Sequence, residues 1–542
     1  MYNQGTVATK AAIEEGQAHL MAGRLREAQA IYRRVLKAEP HNPDALHLLG
    51  VIAHWMDDNE LTVELIGKAI VANPHVPAFH NNLGNALRDL GRLEDAVTAY
   101  HKALALRPDY VQAHNNLGLA LKMQGQLEEA MASYHKALAI APDYAGALYN
   151  LCEVFEKTNN TEALRETVVR ARQSCPEDPR FALREAQLLK RDGDYAGARA
   201  VLEAKGAAGA GGNYLSTRTQ LLGDLCDRLD DTEAAFNYFR DSNRQSAQRP
   251  EAKQADGRGY VARIEALAER FTSDWISGWR TLECHDERPH PVFLVGFPRS
   301  GTTLLDTILR SHHAIEVVEE KPTVWNMLNA VERLPGGCPG ALADLHPDQL
   351  AALRRTYFTE LDKHLKSRDR SVVVVDKLAL NAIEAGLIHR VFPKARFLFA
   401  QRHPCDCVLS CFMQNFGIND AMVNFLDLED AARLYDRVMT LWGQYRAVLP
   451  LDVHTLRYES LIEAFEETLS PLLDFLGLDW DDGMRRYAET ASSREIINTP
   501  SYNQVTQPLY SRACGRWRRY REPLAPVLPL LLPWAERFGY DD

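Results

Sequence analysis

Apolar positions in the amino-terminal part of the chain follow two periods at once. At short range they recur at helical spacing. Leu83, Ala86 and Leu87 share one face of a predicted helix, and Ala96, Tyr100 and Ala103 share a face of the next. At long range the pattern returns every 34 residues, carried by Pro40, Pro74, Pro108, Pro142 and Pro176, by Gly16, Gly50, Gly84 and Gly118, and by Tyr32, Tyr100 and Tyr134. Gly91 stands where the first helix of its copy must stop and turn, and the proline closing each copy cannot continue the second helix. Gly84 and Ala96 are small enough to let paired helices approach closely. One such hairpin cannot bury its apolar face alone, whereas a stack can. Five good copies run from residue 8 to residue 176. Weaker helical pairs over 177–247, where the glycine and proline marks fade, are expected to cap the array.

This 34-residue grammar, clearest in PAFHNNLGNALRDLGRLEDAVTAYHKALALRP and VQAHNNLGLALKMQGQLEEAMASYHKALAIAP, resembles the tetratricopeptide repeat. The resemblance implies an α-solenoid over residues 1–247. Its concave groove would hold a protein or peptide, or serve as a scaffold or dimer surface. Residues 248–289 turn polar and breaker-rich at both ends, around the helix-like run VARIEALAERFTSDWISGW, and are read as a connector.

From 290 to 542 the pattern changes. Four short runs, PVFLVG (291–296), SVVVVD (371–376), RFLFAQ (396–401) and VHTLRY (453–458), are dense in Val, Phe and Leu with little alternation, as suits strands buried on both faces. Each is followed by helix-like sequence. The chain therefore combines α with α/β: an amino-terminal α-solenoid, then a P-loop-like α/β domain with a central parallel sheet. Ligands of such sheets lie at the carboxyl ends of the strands.

Bulk properties narrow the field only a little. With 542 residues, 46% of them hydrophobic and 25% charged, the chain is too long for a single core. A formal net charge of -11 argues against a nucleic-acid binder. Nine cysteines without paired spacing suggest a reducing compartment. The first residues hold no apolar signal core, and no apolar run is long enough to cross a membrane, so a cytoplasmic location is expected.

The chemistry is concentrated at the predicted strand ends. The first strand runs into Gly296-Phe297-Pro298-Arg299-Ser300-Gly301-Thr302-Thr303, a tight glycine loop that opens a helix. Backbone amides of such a loop and the helix amino terminus favour a phosphate. The spacing matches a nucleotide-binding P-loop, except that Thr302 stands where the lysine belongs and the cation sits earlier, at Arg299. After the run 396–401 come Arg402 and, eight residues on, Ser410. A fixed guanidinium there can grip a second phosphate.

PRSGTT after an apolar strand, followed by Arg402 and Ser410, resembles the sulfotransferases. In that family these motifs bind the 5′-phosphosulfate and the 3′-phosphate of 3′-phosphoadenosine 5′-phosphosulfate (PAPS). Finer matches resemble the tyrosylprotein sulfotransferases over roughly residues 290 to 520. By that resemblance Glu320, with Glu319 beside it and twenty-one residues after Arg299, is the catalytic base. Lys377 is the catalytic lysine, and Tyr458 contacts the nucleotide. Ser501 and Gln504 belong to the late loop Ser-x-x-Gln-Val-x-x-Pro, and Arg516 is the basic residue fifteen positions after that serine. Arg299, Ser300, Gly301, Thr302 and Thr303, with Arg402, Ser410, Tyr458, Ser501, Gln504 and Arg516, would hold the nucleotide. Two departures stand out: Gln414 where the family has arginine, and His403-Pro404 where it has Asp-Gly.

The resemblance implies sulfuryl transfer from PAPS to a hydroxyl, with a protein or peptide tyrosine favoured and adenosine 3′,5′-bisphosphate as the product. Arg299, Lys377 and Ser501 would assist Glu320, and no metal is required. A phenol titrates near pH ~10, so cations at the site must make it more acidic. The alternatives are a carbohydrate or small-metabolite acceptor with the repeats serving assembly, an inactive repeat scaffold, and an NTP-dependent kinase. A homodimer is compatible with the sequence. Cys405, Cys407 and Cys411 lack zinc-site spacing and are expected as core residues, and His312 and His313 as surface residues at a helix end. Arg512, Arg516, Arg518, Arg519 and Arg521 form a basic cluster; only Arg516 is given a functional role, and the others are read as a solvated face.

Overall fold

The computed structural model describes residues 2–204, 212–280, 288–366, 371–492 and 511–540. They group into two compact units, Met1–Ala210 and Gly211–Asp542.

The first unit is a run of helical hairpins. Pro77–Asp89 pairs with Leu93–Leu106, and Val111–Met123 pairs with Leu127–Ile140. At each turn one residue takes positive φ: Gly23, Asp57, Gly91, Gly125, Asn159 and Gly193. These positions recur at 34 residues, and where glycine is missing Asp or Asn substitutes, the residues that best tolerate that conformation. The glycine–tyrosine periodicity also has a packing cause. A Cβ on Gly84 would lie 2.5 Å from the Tyr100 ring, and one on Gly118 would lie 2.5 Å from Tyr134. Both tyrosines are fully buried, so the bare backbone of one helix forms the seat for the ring of its partner.

The second unit is built on a five-stranded, wholly parallel sheet: β1 (Val292–Gly296), β2 (Ile315–Glu319), β3 (Val373–Lys377), β4 (Arg396–Gln401) and β5 (Asp452–Arg457). The order across the sheet is β2-β3-β1-β4-β5. Its two faces are both buried. Phe293, Val295, Phe397 and Phe399 enter one core cluster, and Val292, Leu294, Leu398 and Ala400 enter the other. That double burial explains why these strands read as unbroken apolar runs. Strand β2 went unread in the sequence, because IEVVE is short and carries two glutamates.

The expected solenoid boundary at 247 does not coincide with the division at 210. Helices Gly212–Arg228 and Thr232–Ser246 keep the repeat packing, since a Cβ on Gly223 would lie 2.8 Å from Phe239. Their outer surface, however, belongs to the second unit. The Asn243 amide donates to the Phe412 carbonyl at 2.9 Å, and Phe236 stacks on Phe412 with ring centroids 5.2 Å apart. The connector region 248–289 likewise contributes Ile264, Leu267 and Phe271 to the larger core of this unit. Its helix-like run is broken, with Gly257–Arg270 followed by a short helix, Ser273–Ser277, capped by Thr272. Among the described residues no helix is long and apolar enough to cross a membrane.

Two glycine substitutions separate packing from propensity. Alanine favours a helix over glycine by about 1 kcal/mol, but overpacking against a buried ring costs about 1–3 kcal/mol. Gly118→Ala is therefore expected to lower the thermal unfolding midpoint. Gly67→Ala, in helix Asn59–Ala72 with open space around its Cβ position, is expected to raise it. Calorimetric melting of the two variants beside the parent checks both signs.

Candidate active site

The polypeptide leaves β1 through a loop whose shape is set by glycine and by strain. Gly296 passes so close to β4 that a Cβ would sit 2.6 Å from the Ala400 carbonyl oxygen. Arg299 takes φ 68°, a left-handed conformation uncommon for arginine, and Gly301 follows at φ 101°. A Cβ on Gly301 would lie 2.6 Å from the Tyr458 ring, so the loop and the end of β5 are in direct contact. Helix Thr302–Leu309 begins immediately, with Ser300, Thr302 and Thr303 buried at its start. First-turn amides of a helix have no intrahelical acceptors, which leaves this end suited to an anion. The Ser300 hydroxyl has no hydrogen-bond partner among the described residues.

Arg402 and Ser410 lie beside that loop. Arg402 is 7% exposed. One terminal nitrogen donates to the Arg299 carbonyl at 2.9 Å and the other to the Ala513 carbonyl, while its Nε lacks a partner among the described residues. The Tyr458 ring lies against the guanidinium at 4.8 Å. Ser410 accepts from Arg299 Nε at 3.0 Å. The residues assigned to the two ends of the nucleotide thus form one connected group in which Tyr458 is a wall. The orphaned Ser300 hydroxyl and Arg402 Nε are donors of the kind an anionic nucleotide would use.

The glutamate pair and Lys377 meet at the ends of neighbouring strands. Glu319 on β2 is registered opposite Lys377 on β3. Lys377, 1% exposed, places its ammonium 2.7 Å from Glu320 and 3.4 Å from Glu319. Glu319 is buried and continues to Arg310 at 3.9 Å, which pairs with Asp306. Glu320 instead turns outward: its side chain is 38% exposed and its backbone takes φ 51°. The structure therefore gives the two glutamates different work, Glu319 within a buried ion network and Glu320 at the rim. Below them Asp376, wholly enclosed, is pushed up to about 6 by burial, although Thr323 and Tyr357 donate to it at 2.6 Å and 3.0 Å.

Other candidates sort themselves by contact. Ser501 and Gln504 lie outside the described residues. Arg516 does not point to a vacant site; it is paired with Asp227 at 3.1 Å. The expectation of a solvated basic face needs correction for its neighbours too, since Arg512 and Arg519 join the same partner, Asp227, or its neighbour Asp230. His312 is not on the surface: it is 2% exposed, with its Nε2 bonded to the Asp479 carbonyl and its Nδ1 accepting from the Ala314 amide. Only His313 is exposed, beside Asp481. Cys405, Cys407 and Cys411 are core residues. His403, where the resembled family has aspartate, caps helix Pro404–Phe412 and stacks on Trp517, and burial pushes its ring down to about 4.

Three further charged residues at the candidate site went unnoticed in the sequence. Asp306 and Arg310 carried a legible signal, an i, i+4 pair on the helix after the glycine loop. Asp406 had none; it accepts from the Gly515 and Trp517 amides at 2.7 Å and 2.8 Å.

Comparison with known proteins finds two kinds of family along the chain. Residues 291–482 match the Sulfotransferase family profile, and residues 13–54, 84–125 and 111–144 match tetratricopeptide-repeat profiles. An uncharacterized protein of Aquifex aeolicus is 28% identical over 284 residues, which cover 51% of this chain and 36% of that protein. The chain thus spans only about a third of that relative's length. Protein-tyrosine sulfotransferase 2 of Gallus gallus is 24% identical, covering 46% of this chain and 69% of its own. Protein-tyrosine sulfotransferase 1 of Danio rerio is 22% identical, covering 46% and 72%. A solved tetratricopeptide repeat protein from Parabacteroides merdae aligns at TM-score 0.36 and 17% identity, over 45% of this chain and 96% of its own. The chain carries a sulfotransferase-family domain preceded by an array of tetratricopeptide repeats.

Proposed function

We propose that this protein is a PAPS-dependent sulfotransferase that modifies a tyrosine hydroxyl of a protein or peptide, with Glu320 as the general base. The observation that carries the reading is the pairing of Glu320 with buried Lys377 at 2.7 Å, on strand ends of the same sheet whose β1 exit forms the phosphate-type loop. The sulfotransferase profile over 291–482 and the relatives named protein-tyrosine sulfotransferases support the same chemistry.

In the transfer, the acceptor oxygen attacks sulfur in line with the bridging oxygen of the donor. An oxygen–sulfur bond forms as the bond from sulfur to the 5′-phosphate oxygen breaks, and adenosine 3′,5′-bisphosphate leaves with the electron pair. The acceptor proton passes to Glu320, whose outward, half-exposed carboxylate is the member of the pair that an incoming hydroxyl can reach. Lys377 supplies positive charge beside the forming bond and holds the carboxylate in place. The amides at the start of helix Thr302–Leu309 and the Arg299–Ser410–Arg402 group hold the two phosphate ends, so the site acts mainly by positioning and charge neutralisation. The side-chain cations fill the place that Mg²⁺ has in a kinase. The repeat array would bind the acceptor protein.

Three measurements test the proposal. Titration calorimetry is expected to show binding of adenosine 3′,5′-bisphosphate without magnesium and none of ATP–magnesium; the reverse pattern would mark a kinase-type site. Glu320→Gln, an isosteric change at a partly exposed position, is expected to leave nucleotide affinity near the parent's while lowering kcat by roughly 10²–10⁴-fold, the usual range for a general base. Normal turnover by that variant removes the base assignment. Incubation with labelled PAPS and cell extract is expected to label protein at tyrosine; label found mainly in glycan or small metabolites replaces the acceptor class and keeps the donor.

A further inference from the structure

The segment Arg512–Tyr520 is gripped from two sides, and one grip comes from a helix that the sulfotransferase profile, 291–482, does not include. On its inner side the segment lies against the end of β4. Asp406 takes the amides of Gly515 and Trp517, the Trp517 ring stacks on His403 at 5.0 Å, and the Ala513 carbonyl accepts one arm of Arg402. On its outer side the segment meets Asp227, in helix Gly212–Arg228 of the repeat-type hairpin.

Asp227 is 6% exposed, and its carboxylate collects three donors. Arg516 approaches at 3.1 Å, Arg519 at 2.9 Å and the Tyr520 hydroxyl at 2.7 Å. Its backbone carbonyl accepts from Arg512 at 2.6 Å. Burial alone would push this carboxyl up, but Arg516, Tyr520, Arg519 and Arg512 outweigh it and hold the group below its ordinary value. Neutralised here, the three arginines would lose their buried counter-charge, with Asp230, largely exposed, still beside Arg512 and Arg519. Such a hub is unlike a surface ion pair, because loss of the one buried charge leaves several partners uncompensated.

The geometry has a consequence three residues away. Arg402 is fixed by two carbonyls, Arg299 on the loop after β1 and Ala513 on this segment. Ala513 keeps its place only while the segment does, and Asp227 pins the segment through Arg516, Arg519 and Tyr520. We propose that Asp227 is a positioning residue of the nucleotide site: from the repeat-type hairpin it seats the segment that orients Arg402, and so sets affinity for the donor's 3′-phosphate. This rests on the PAPS reading above.

The test uses full-length protein and calorimetry with two ligands, adenosine 3′,5′-bisphosphate and adenosine 5′-monophosphate, which lacks the 3′-phosphate. Asp227→Asn is expected to weaken bisphosphate binding roughly tenfold or more, with little change for the monophosphate. Asp227→Glu should recover most of the loss. Tyr520→Phe, which removes one donor and no charge, should move bisphosphate affinity the same way by less. Unchanged or tighter bisphosphate binding in Asp227→Asn, or an equal loss for both ligands, overturns the inference while the parent's own bisphosphate binding upholds the donor reading. Should Asp227→Asn fail to fold, Tyr520→Phe decides: an unaltered ratio of the two affinities overturns the inference. A parent that binds neither nucleotide removes the donor reading and this inference together.

Discussion

A single buried guanidinium, that of Arg402, touches three parts of the second unit at once. It fastens the carbonyl of the strained loop after β1, the carbonyl of Ala513 and the face of Tyr458 at the end of β5. Charge burial of this kind is unfavourable unless partners compensate it, and removal of one partner of a buried pair costs about 3–5 kcal/mol. Asp406 and Glu459 oppose the desolvation of Arg402 electrostatically, and each is engaged elsewhere as well: Asp406 by the amides of Gly515 and Trp517, Glu459 by the His403 amide and the Tyr540 hydroxyl. The carboxyl end of β4 thus sits in an interlocked polar network.

The lysine–glutamate group at the ends of β2 and β3 follows the same logic with a different outcome. Glu319 is enclosed and helps neutralise Lys377; Glu320, next in sequence, is turned outward by a backbone in the left-handed region. Arg299, on the neighbouring loop, is held in that region too. Non-glycine residues in such conformations cost of order 1–3 kcal/mol and persist where surrounding structure over-determines them. Here the determinants are visible: the Glu320 amide donates to the Lys377 carbonyl at 2.8 Å, and the Arg299 carbonyl accepts from Arg402.

Much of this was legible in the sequence where chemistry depends on local spacing. The 34-residue period announced the helical hairpins, and the apolar run before Gly296 announced both β1 and the loop. Arg402 and Ser410 were singled out by the resemblance of one strand–helix junction to the sulfotransferases. What escaped depended on contacts between distant segments. Strand β2 hid behind its glutamates, and the positive φ of Glu320 has no signature in EVVEEK. Asp227 has no signature in the sequence, because its partners lie nearly three hundred positions further on. His312 was misplaced because burial of a polar ring depends on the Asp479 carbonyl that receives it.

The last glycine-seated aromatic, Phe239 on Gly223, keeps the architecture of a repeat while its hairpin shields Phe412 and lends Ala235 and Cys226 to the core of the second unit. Homology borders and folding borders therefore differ in this chain. The upstream hairpins pack within the first unit, whereas this one forms part of the second. Any excised version that starts where family likeness starts, at 291, would expose an apolar wound on the helix that carries Ser410.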